Sequence, residues 1–295
     1  MLAALLQKGV KVRYAEQPFS TGQENFDKGT MIITRTSNTG KSIPQILKEL
    51  AAQTGTNVFP VASGFVDKGF DFGSSRVRII NAPKVALLTG DKVSSLGAGE
   101  IWHFFDQQLG YPITLISANE FLQNASNQID VLILADGSYD FFSRKETNEE
   151  LKNWVRRGGK IIALENAVAE MARADWGIKL KDDSDKKDET KKTDYSSLKK
   201  YENRERDNLV TSMPGSIFKL ELDHSHPLGF GYPDFYYTLK QDANIYSFFQ
   251  DEGWNVGIIK KDNYISGFTG SGLKEKLKDG LPIGAQELGK GQVIY

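Results

Sequence analysis

The sequence has no cysteine among its 295 residues and only three histidines. The absence of cysteine excludes disulfide bonds, a thiolate nucleophile and cysteine-ligated zinc. The two signs of charge nearly balance, because the sequence has 37 Lys and Arg residues and 38 Asp and Glu residues. The formal net charge is therefore −1. Without a basic surplus, nucleic-acid binding is disfavoured. Composition alone therefore excludes several common kinds of functional site.

Long apolar runs are also missing. No window comes near the ~18 consecutive apolar residues of a membrane-spanning helix, and the apolar run at residues 1–6 is followed at once by Gln7 and Lys8. That run has no basic leader and is too short for a signal peptide. The chain opens on what resembles the last turns of a helix and closes inside an apolar strand, so we expect a piece of a longer protein.

Apolar segments with strand and helix patterns alternate along the first two thirds of the chain. In residues 1–82, short strands flank a segment in which apolar residues from Ile43 to Leu50 follow helical spacing, which predicts a small α/β unit. From residue 83 onward, four apolar strands, including VALL, VLILA and KIIAL, are each followed by a helical pattern. This alternation predicts an α/β fold with a doubly wound, mainly parallel sheet.

The last third of the chain differs in composition. Residues 181–207 hold nine Lys or Arg and nine Asp or Glu, and so few apolar groups predict a charged mobile loop, with a partner-docking tail as the alternative. Beyond Pro214, short strands are separated by Gly, Pro and Asp turns, which predicts strands that extend the sheet or form an antiparallel lobe beside it. We therefore predict two domains, 1–82 and 83–295.

Polar residues follow three of the predicted parallel strands, at the edge where such sheets usually bind ligands. They are Gly90, Asp91, Asp136, Gly137, Glu165 and Asn166. Related folds carry a Ser or Cys nucleophile at the turn that Glu165 and Asn166 occupy here, and an oxyanion donor at the loop that Asp136, Gly137 and Ser138 form. We therefore predict a crevice without a nucleophile, whose carboxylates could bind a cation or a sugar. Vestigial architecture that binds nothing is the preferred interpretation.

A second candidate is the run Asp223, His224, Ser225 and His226. On a strand, the two imidazoles would share one face and could meet a metal ion together, with Asp223 beside them. Pro227 follows directly, which favours a turn with surface or hydrogen-bonded histidines. These residues are therefore weak metal candidates, and no metal site is predicted.

The run MIITRTSNTGKS before a predicted helix imitates a phosphate-binding loop. Its first glycine is replaced by Arg35, and Pro44 removes a backbone donor from the next turn. A polar turn with Ser42 as N-cap is the preferred interpretation.

Several runs of residues together resemble one protein family. They are PKVALLTGDKVSSLGAGEIWHFFDQQLGYPITLI, DVLILADG, GGKIIALENA, MPGSIFKLELDHSHPLGFGY and GKGQVIY. They are similar to the C-terminal region of large bacterial zinc carboxypeptidases of the carboxypeptidase A-like metallopeptidase type. In that family, a class I glutamine amidotransferase-like domain of the flavodoxin-like type follows the peptidase domain. The resemblance covers nearly the whole chain.

The resemblance implies a non-catalytic accessory domain of a secreted hydrolase that removes C-terminal amino acids from peptides. Its partners would be the peptidase domain of the same polypeptide and the peptide substrate, in the periplasm or outside the cell. The family's H-x-x-E zinc motif does not occur in this sequence, so zinc is implied for the missing peptidase domain and no cofactor for this chain. The alternatives are a free-standing protein that binds a peptide or carbohydrate in the crevice, and a metal-dependent hydrolase that uses Asp223, His224 and His226.

Overall fold

The computed structural model describes residues 1–181 and 200–295. Within these ranges, the strands form a three-stranded sheet, a two-stranded hairpin and a ten-stranded sheet. The strands are β1 Val12–Ala15, β2 Phe19–Thr21, β3 Glu24–Phe26, β4 Met31–Ile32, β5 Val77–Ile80, β6 Val85–Thr89, β7 Ile113–Ser117, β8 Val131–Leu134, β9 Lys160–Ala163, β10 Gly215–Leu222, β11 Phe235–Lys240, β12 Gly253–Ile259, β13 Tyr264–Phe268, β14 Gly280–Leu288 and β15 Gly291–Ile294.

The helices pack beside these strands. They are α1 Leu2–Gln7, α2 Ile43–Thr54, α3 Ser95–His103, α4 Asp140–Ser143, α5 Lys145–Arg156, α6 Asn166–Arg173, α7 Arg204–Val210 and α8 Ser271–Leu277. A π-helical turn at Phe104–Leu109 continues α3, and Gly110 ends it in the left-handed conformation with φ of 56°.

The first unit is built on the antiparallel order β4-β1-β5, with the hairpin β2-β3 beside it. Helices α1 and α2 bury one face in a small core that contains Leu5, Val12 and Leu50. The predicted helix is therefore present, and its apolar spacing matches the face that packs. Phe230 of the large sheet's unit contacts this first unit, because its ring lies 6.3 Å from the ring of Tyr14.

The parallel part of the large sheet has the order β7-β6-β8-β9-β15. Counted within this part, the order is 2-1-3-4-5, which is the flavodoxin-like order. Leu132 packs in a core with α5 and α6 on one face, whereas Ile133 packs in a core with α3 on the other. Helices therefore cover both faces, and the prediction of a doubly wound α/β fold is confirmed.

The antiparallel part continues the same sheet through β14, β12, β10 and β11, with β13 also paired to β10. Of the two predicted arrangements for the last strands, the structure has the one that extends the sheet. Strand β15 lies where the two parts meet, parallel to β9 on one side and antiparallel to β14 on the other. Its neighbour Tyr295 is buried and donates a hydrogen bond from its hydroxyl to Trp176 O.

The predicted charged loop falls mainly outside the described residues, which resume at residue 200. The end of that segment differs from the prediction, because Tyr201–Asn203 form a 3-10 turn and α7 begins at Arg204. The two smaller sheets lie within residues 12–80 and the large sheet within 85–294. The domain boundary between residues 82 and 83 stays a prediction.

Candidate functional site

The carboxyl ends of β8 and β9 meet at one edge of the sheet and bring two of the predicted residues into one cleft. This cleft has a volume of about 460 Å³, and its lining includes Asp136 and Glu165. Helix α3 forms the opposite wall and contributes Glu100 and His103. We call this cleft, with its carboxylates Glu100, Asp136 and Glu165, the acidic crevice.

The other four predicted residues have different positions. Asn166 donates from Nδ2 to Gly137 O at 3.0 Å and from its backbone N–H to Asp136 Oδ1 at 3.4 Å. These bonds tie the turn after β9 to the turn after β8. Gly90 and Asp91 are exposed after β6 and do not line the crevice. Sequence reasoning therefore found two lining residues and missed those that α3 contributes.

Glu165 occupies a strained turn between β9 and α6. Its backbone has φ of 52° and ψ of −120°, a region that non-glycine residues enter at a cost of roughly 1 to 3 kcal/mol. Two hydrogen bonds fix the turn: Leu164 N donates to Leu134 O, and Val168 N donates to Glu165 O. The sharp strand-to-helix turn is thus present, and a carboxylate stands where α/β hydrolases display a nucleophile.

Burial and several neighbouring carboxylates shift the pKa of Glu165. Partial burial raises the pKa of its carboxyl above the ordinary value, and the charges of Asp136, Asp242 and Glu100 raise that pKa further. Lys240 acts in the opposite direction but also forms an ion pair with Asp242, with 2.9 Å between Nζ and Oδ1. The crevice therefore favours either a proton on Glu165 or a positively charged ligand.

The loop after β8 is occupied by structural contacts. The backbone N–H of Ser138 donates to Lys92 O at 2.9 Å, and its hydroxyl donates to Glu170 at 2.7 Å. A Cβ on Gly137 would lie 2.8 Å from Val93 Cα, so glycine is required for the close approach of the two chains. The amide of Ser138 is thus not available as the oxyanion donor that its position suggested.

The histidine run lies in a turn, because β10 ends at Leu222. Asp223 Oδ1 accepts hydrogen bonds from the backbone N–H and the hydroxyl of Ser225, and His226 Nδ1 accepts from the N–H of Leu228. His224 Nε2 lies 3.3 Å from Asp234 Oδ1 but forms no hydrogen bond among the described residues. The turn favoured by Pro227 is therefore present, and the alternative of two imidazoles on one strand face is not.

The electrostatics of this turn agree with its hydrogen bonds. Burial lowers the pKa of His226, although the charge of Asp223 opposes the shift. Burial raises the pKa of Asp223, but the hydrogen bonds from Ser225, together with the charges of His226 and Lys28, bring that pKa below its ordinary value. In residues 1–181 and 200–295, no group of three or more His, Cys, Asp or Glu side chains is arranged to hold a metal ion.

The run that imitates a phosphate-binding loop forms another kind of turn. Ser42 is the N-cap residue of α2, as expected, but its side chain makes no capping hydrogen bond. Lys41 Nζ donates to Lys8 O at 2.7 Å, so its ammonium is directed at α1.

Among the described helices, none has the length and apolar character needed to cross a bilayer.

Comparisons with known proteins find distant likenesses of fold. No protein-family model matches the sequence, and no curated protein matches it. One similar solved structure is a GMP synthase-like protein from Thermoplasma acidophilum, at 9% identity and a TM-score of 0.41, with 71% of this chain and 82% of that chain covered.

A second similar structure is Gan42B, a GH42 β-galactosidase from G. stearothermophilus, which is matched both in its natural form and as a catalytic mutant. The identity is 13% and the TM-score 0.30, with 94% of this chain covered. The chain spans 34% of the length of that enzyme. Neither the activity nor the ligand of these proteins follows for this chain.

Proposed function

We propose that this chain is a non-catalytic accessory region of a secreted bacterial zinc carboxypeptidase, which packs against the peptidase domain or guides its peptide substrate. The runs of residues from PKVALLTG to GKGQVIY support the family. The observation that carries the non-catalytic role is Glu165 at the strained turn, with φ of 52°. On this proposal, zinc and the hydrolytic chemistry belong to the peptidase domain.

The chemistry of Glu165 supports this role. Amide hydrolysis at such a turn needs a nucleophile that forms a stable acyl intermediate, and a cysteine thiolate does so readily. The sequence has no cysteine, and attack by a carboxylate on an amide would form a mixed anhydride that reverts easily. The turn therefore keeps the shape of a nucleophile site without its chemistry.

Exposed apolar side chains support a packing role. Between residues 58 and 70, five large apolar side chains are exposed, including Phe59 at 46% and Phe65 at 81%. They lie in the first unit, next to an open apolar cavity of about 380 Å³ whose lining includes Phe26 and Phe59. Apolar patches of this kind usually contact another protein surface. The peptidase domain of the same polypeptide is the partner that fits the proposal.

The size of the native gene product tests the proposal first. An antibody raised against the 295-residue chain should detect an exported protein much larger than 32.9 kDa in the source cells. The full-length product should then release C-terminal amino acids in a zinc-dependent reaction, and Glu165→Gln in that product should leave the rate unchanged. A native band near 32.9 kDa would exclude the accessory role.

The acidic crevice supports a second candidate function, the binding of a small peptide or carbohydrate by a free-standing protein. The specific observation is the cleft of about 460 Å³ with Glu100, Asp136 and Glu165 in its walls, which favours a peptide amine over a neutral sugar. Glu165→Gln should weaken the binding of a short peptide with a free amino group, measured by calorimetry. Glu24→Gln, at an exposed carboxylate on β3, is the matched control.

A further inference from the structure

The antiparallel part of the sheet contains a cavity of about 320 Å³, which is formed by β10, the turn between β12 and β13, and α8. Its floor is apolar and aromatic and includes Phe218, Ile259 and Leu277. These three side chains are nearly fully buried, with exposed fractions of 3%, 2% and 1%. The floor therefore presents a fixed apolar surface, because it belongs to the core of this part of the sheet.

The rim of this cavity is basic. Four lysines line it, together with a single acidic residue, Asp262. They are Lys260, Lys261, Lys274 and Lys278. The whole chain has a formal net charge of −1, so this group of cations is a local feature and not a consequence of composition. We call this site the lysine cavity.

The contacts of the rim lysines leave positive charge at the mouth. Lys260 is neutralised by an ion pair with Glu221. Lys274 Nζ lies 5.4 Å above the ring of Tyr264, a contact that orients the ammonium without cancelling its charge. Lys261 forms no ion pair within residues 1–181 and 200–295.

A hydroxyl in the lining adds a further polar group. Thr269 also lines the cavity, with its hydroxyl 2.7 Å from the hydroxyl of Ser216. Cations and a hydroxyl are groups that hold anionic oxygens.

We propose that the lysine cavity binds a small organic anion, a carboxylate or a phosphate, that carries an apolar body. The apolar body lies on Phe218 and Leu277, and the anionic group lies between Lys261 and Lys274. The volume of about 320 Å³ is at the lower end of the range for ligand pockets, roughly 300 to 1,000 Å³, so the ligand is small. This site does not depend on the accessory role proposed above.

Calorimetric titration of the full chain tests the proposal with three probes that share a benzene ring. Phenyl phosphate and 3-phenylpropionate carry the two kinds of anion, and 3-phenylpropanol is their neutral counterpart. Saturable binding of at least one anion, with affinity that falls as salt is added, supports the site, and the stronger of the two identifies its chemistry. Equal binding of the alcohol, or no saturation by either anion at millimolar concentration, overturns the proposal.

Charge variants locate the binding. In Lys261→Gln/Lys274→Gln the affinity for the better anion should fall about tenfold, because two favourable charge interactions are lost. The control Lys48→Gln/Lys290→Gln removes two lysines outside the cavity and should leave affinity unchanged. Lys261→Gln alone removes a side chain with no ion pair among the described residues, so it should weaken binding without affecting folding. Affinity that is the same in all three variants would overturn the assignment.

Discussion

The acidic crevice and the lysine cavity belong to one ten-stranded sheet, but they carry opposite charge and are built differently. The crevice forms where parallel strands end, so residues at corresponding positions after β8 and β9 meet at one edge. The lysine cavity forms where antiparallel strands, a turn and a helix enclose space. In the parallel part, the residues of a site can therefore be predicted from the ends of the strands. The site in the antiparallel part depends on strand register and packing.

The largest expected effect is a loss in the free energy of unfolding, and it compares the parallel part of the sheet with the antiparallel part. Leu132→Ala in the parallel part and Leu220→Ala in the antiparallel part each remove a side chain that is at most 1% exposed. Each should lower the free energy of unfolding by about 3 kcal/mol. If β15 couples the parts, circular dichroism and tryptophan fluorescence should report one shared urea transition in both variants. Two separate transitions would show that the parts unfold independently.

A slightly smaller effect is expected at the junction itself. A Cβ on Gly291 in β15 would lie 2.1 Å from the carbonyl oxygens of Gly159 and Val155, so Gly291→Ala forces the backbone apart. We expect a loss of about 2 kcal/mol in a urea titration. The control is Gly73→Ala, where an added Cβ meets no atom within 4 Å. Equal free energies of unfolding in the two variants would contradict the close packing of Gly291 against Gly159 and Val155.

Relief of backbone strain should change the free energy of unfolding by about 1 kcal/mol at each of two residues. Glu165 beside the crevice and Asp279 before β14 both have φ of 52°. Glycine should relieve each position, so Glu165→Gly and Asp279→Gly should each raise stability by about 1 kcal/mol in thermal or urea unfolding. Glu165→Gly should gain more, because it also removes repulsion from Asp136. A loss of stability at position 165 would show that its carboxylate has a stabilising partner.

The smallest expected effect is the change of the free energy of unfolding with pH. The pKa of Glu165 is raised above its ordinary value of 4.5 in the folded chain, so the folded state binds the proton more tightly than the unfolded state does. Stability contributed by Glu165 is therefore present below pH 4.5 and declines as pH rises through the raised value. Glu165→Gln should flatten this decline in urea titrations at several pH values. A variant with the same slope as the unchanged chain would refute the shift.

Much of the parallel part could be predicted from sequence. Continuous apolar strands such as VLILA indicated burial on both faces, and the turn after KIIAL placed Glu165 correctly. The wall formed by Glu100 and His103 could not be predicted, because it depends on which face α3 turns toward the sheet.

The histidine run and the lysine cavity show what local pattern leaves out. Hydrogen bonds from Ser225 to Asp223 hold the turn that Pro227 favoured over a strand. The run Lys260, Lys261, Asp262 and Asn263 has the composition of an ordinary polar turn, and only tertiary packing against α8 makes it the rim of a cavity. The first feature is set by local hydrogen bonds and the second by tertiary packing, which the 260–263 segment alone does not encode.

The central place of β15 has a consequence for synthesis. The ribosome completes β6 to β9 long before it adds Gly291–Ile294, so the nascent chain displays unpaired backbone N–H and C=O groups along the edge of β9. An unpaired edge of this kind readily joins another chain. Inclusion bodies should therefore increase when translation stops before residue 291.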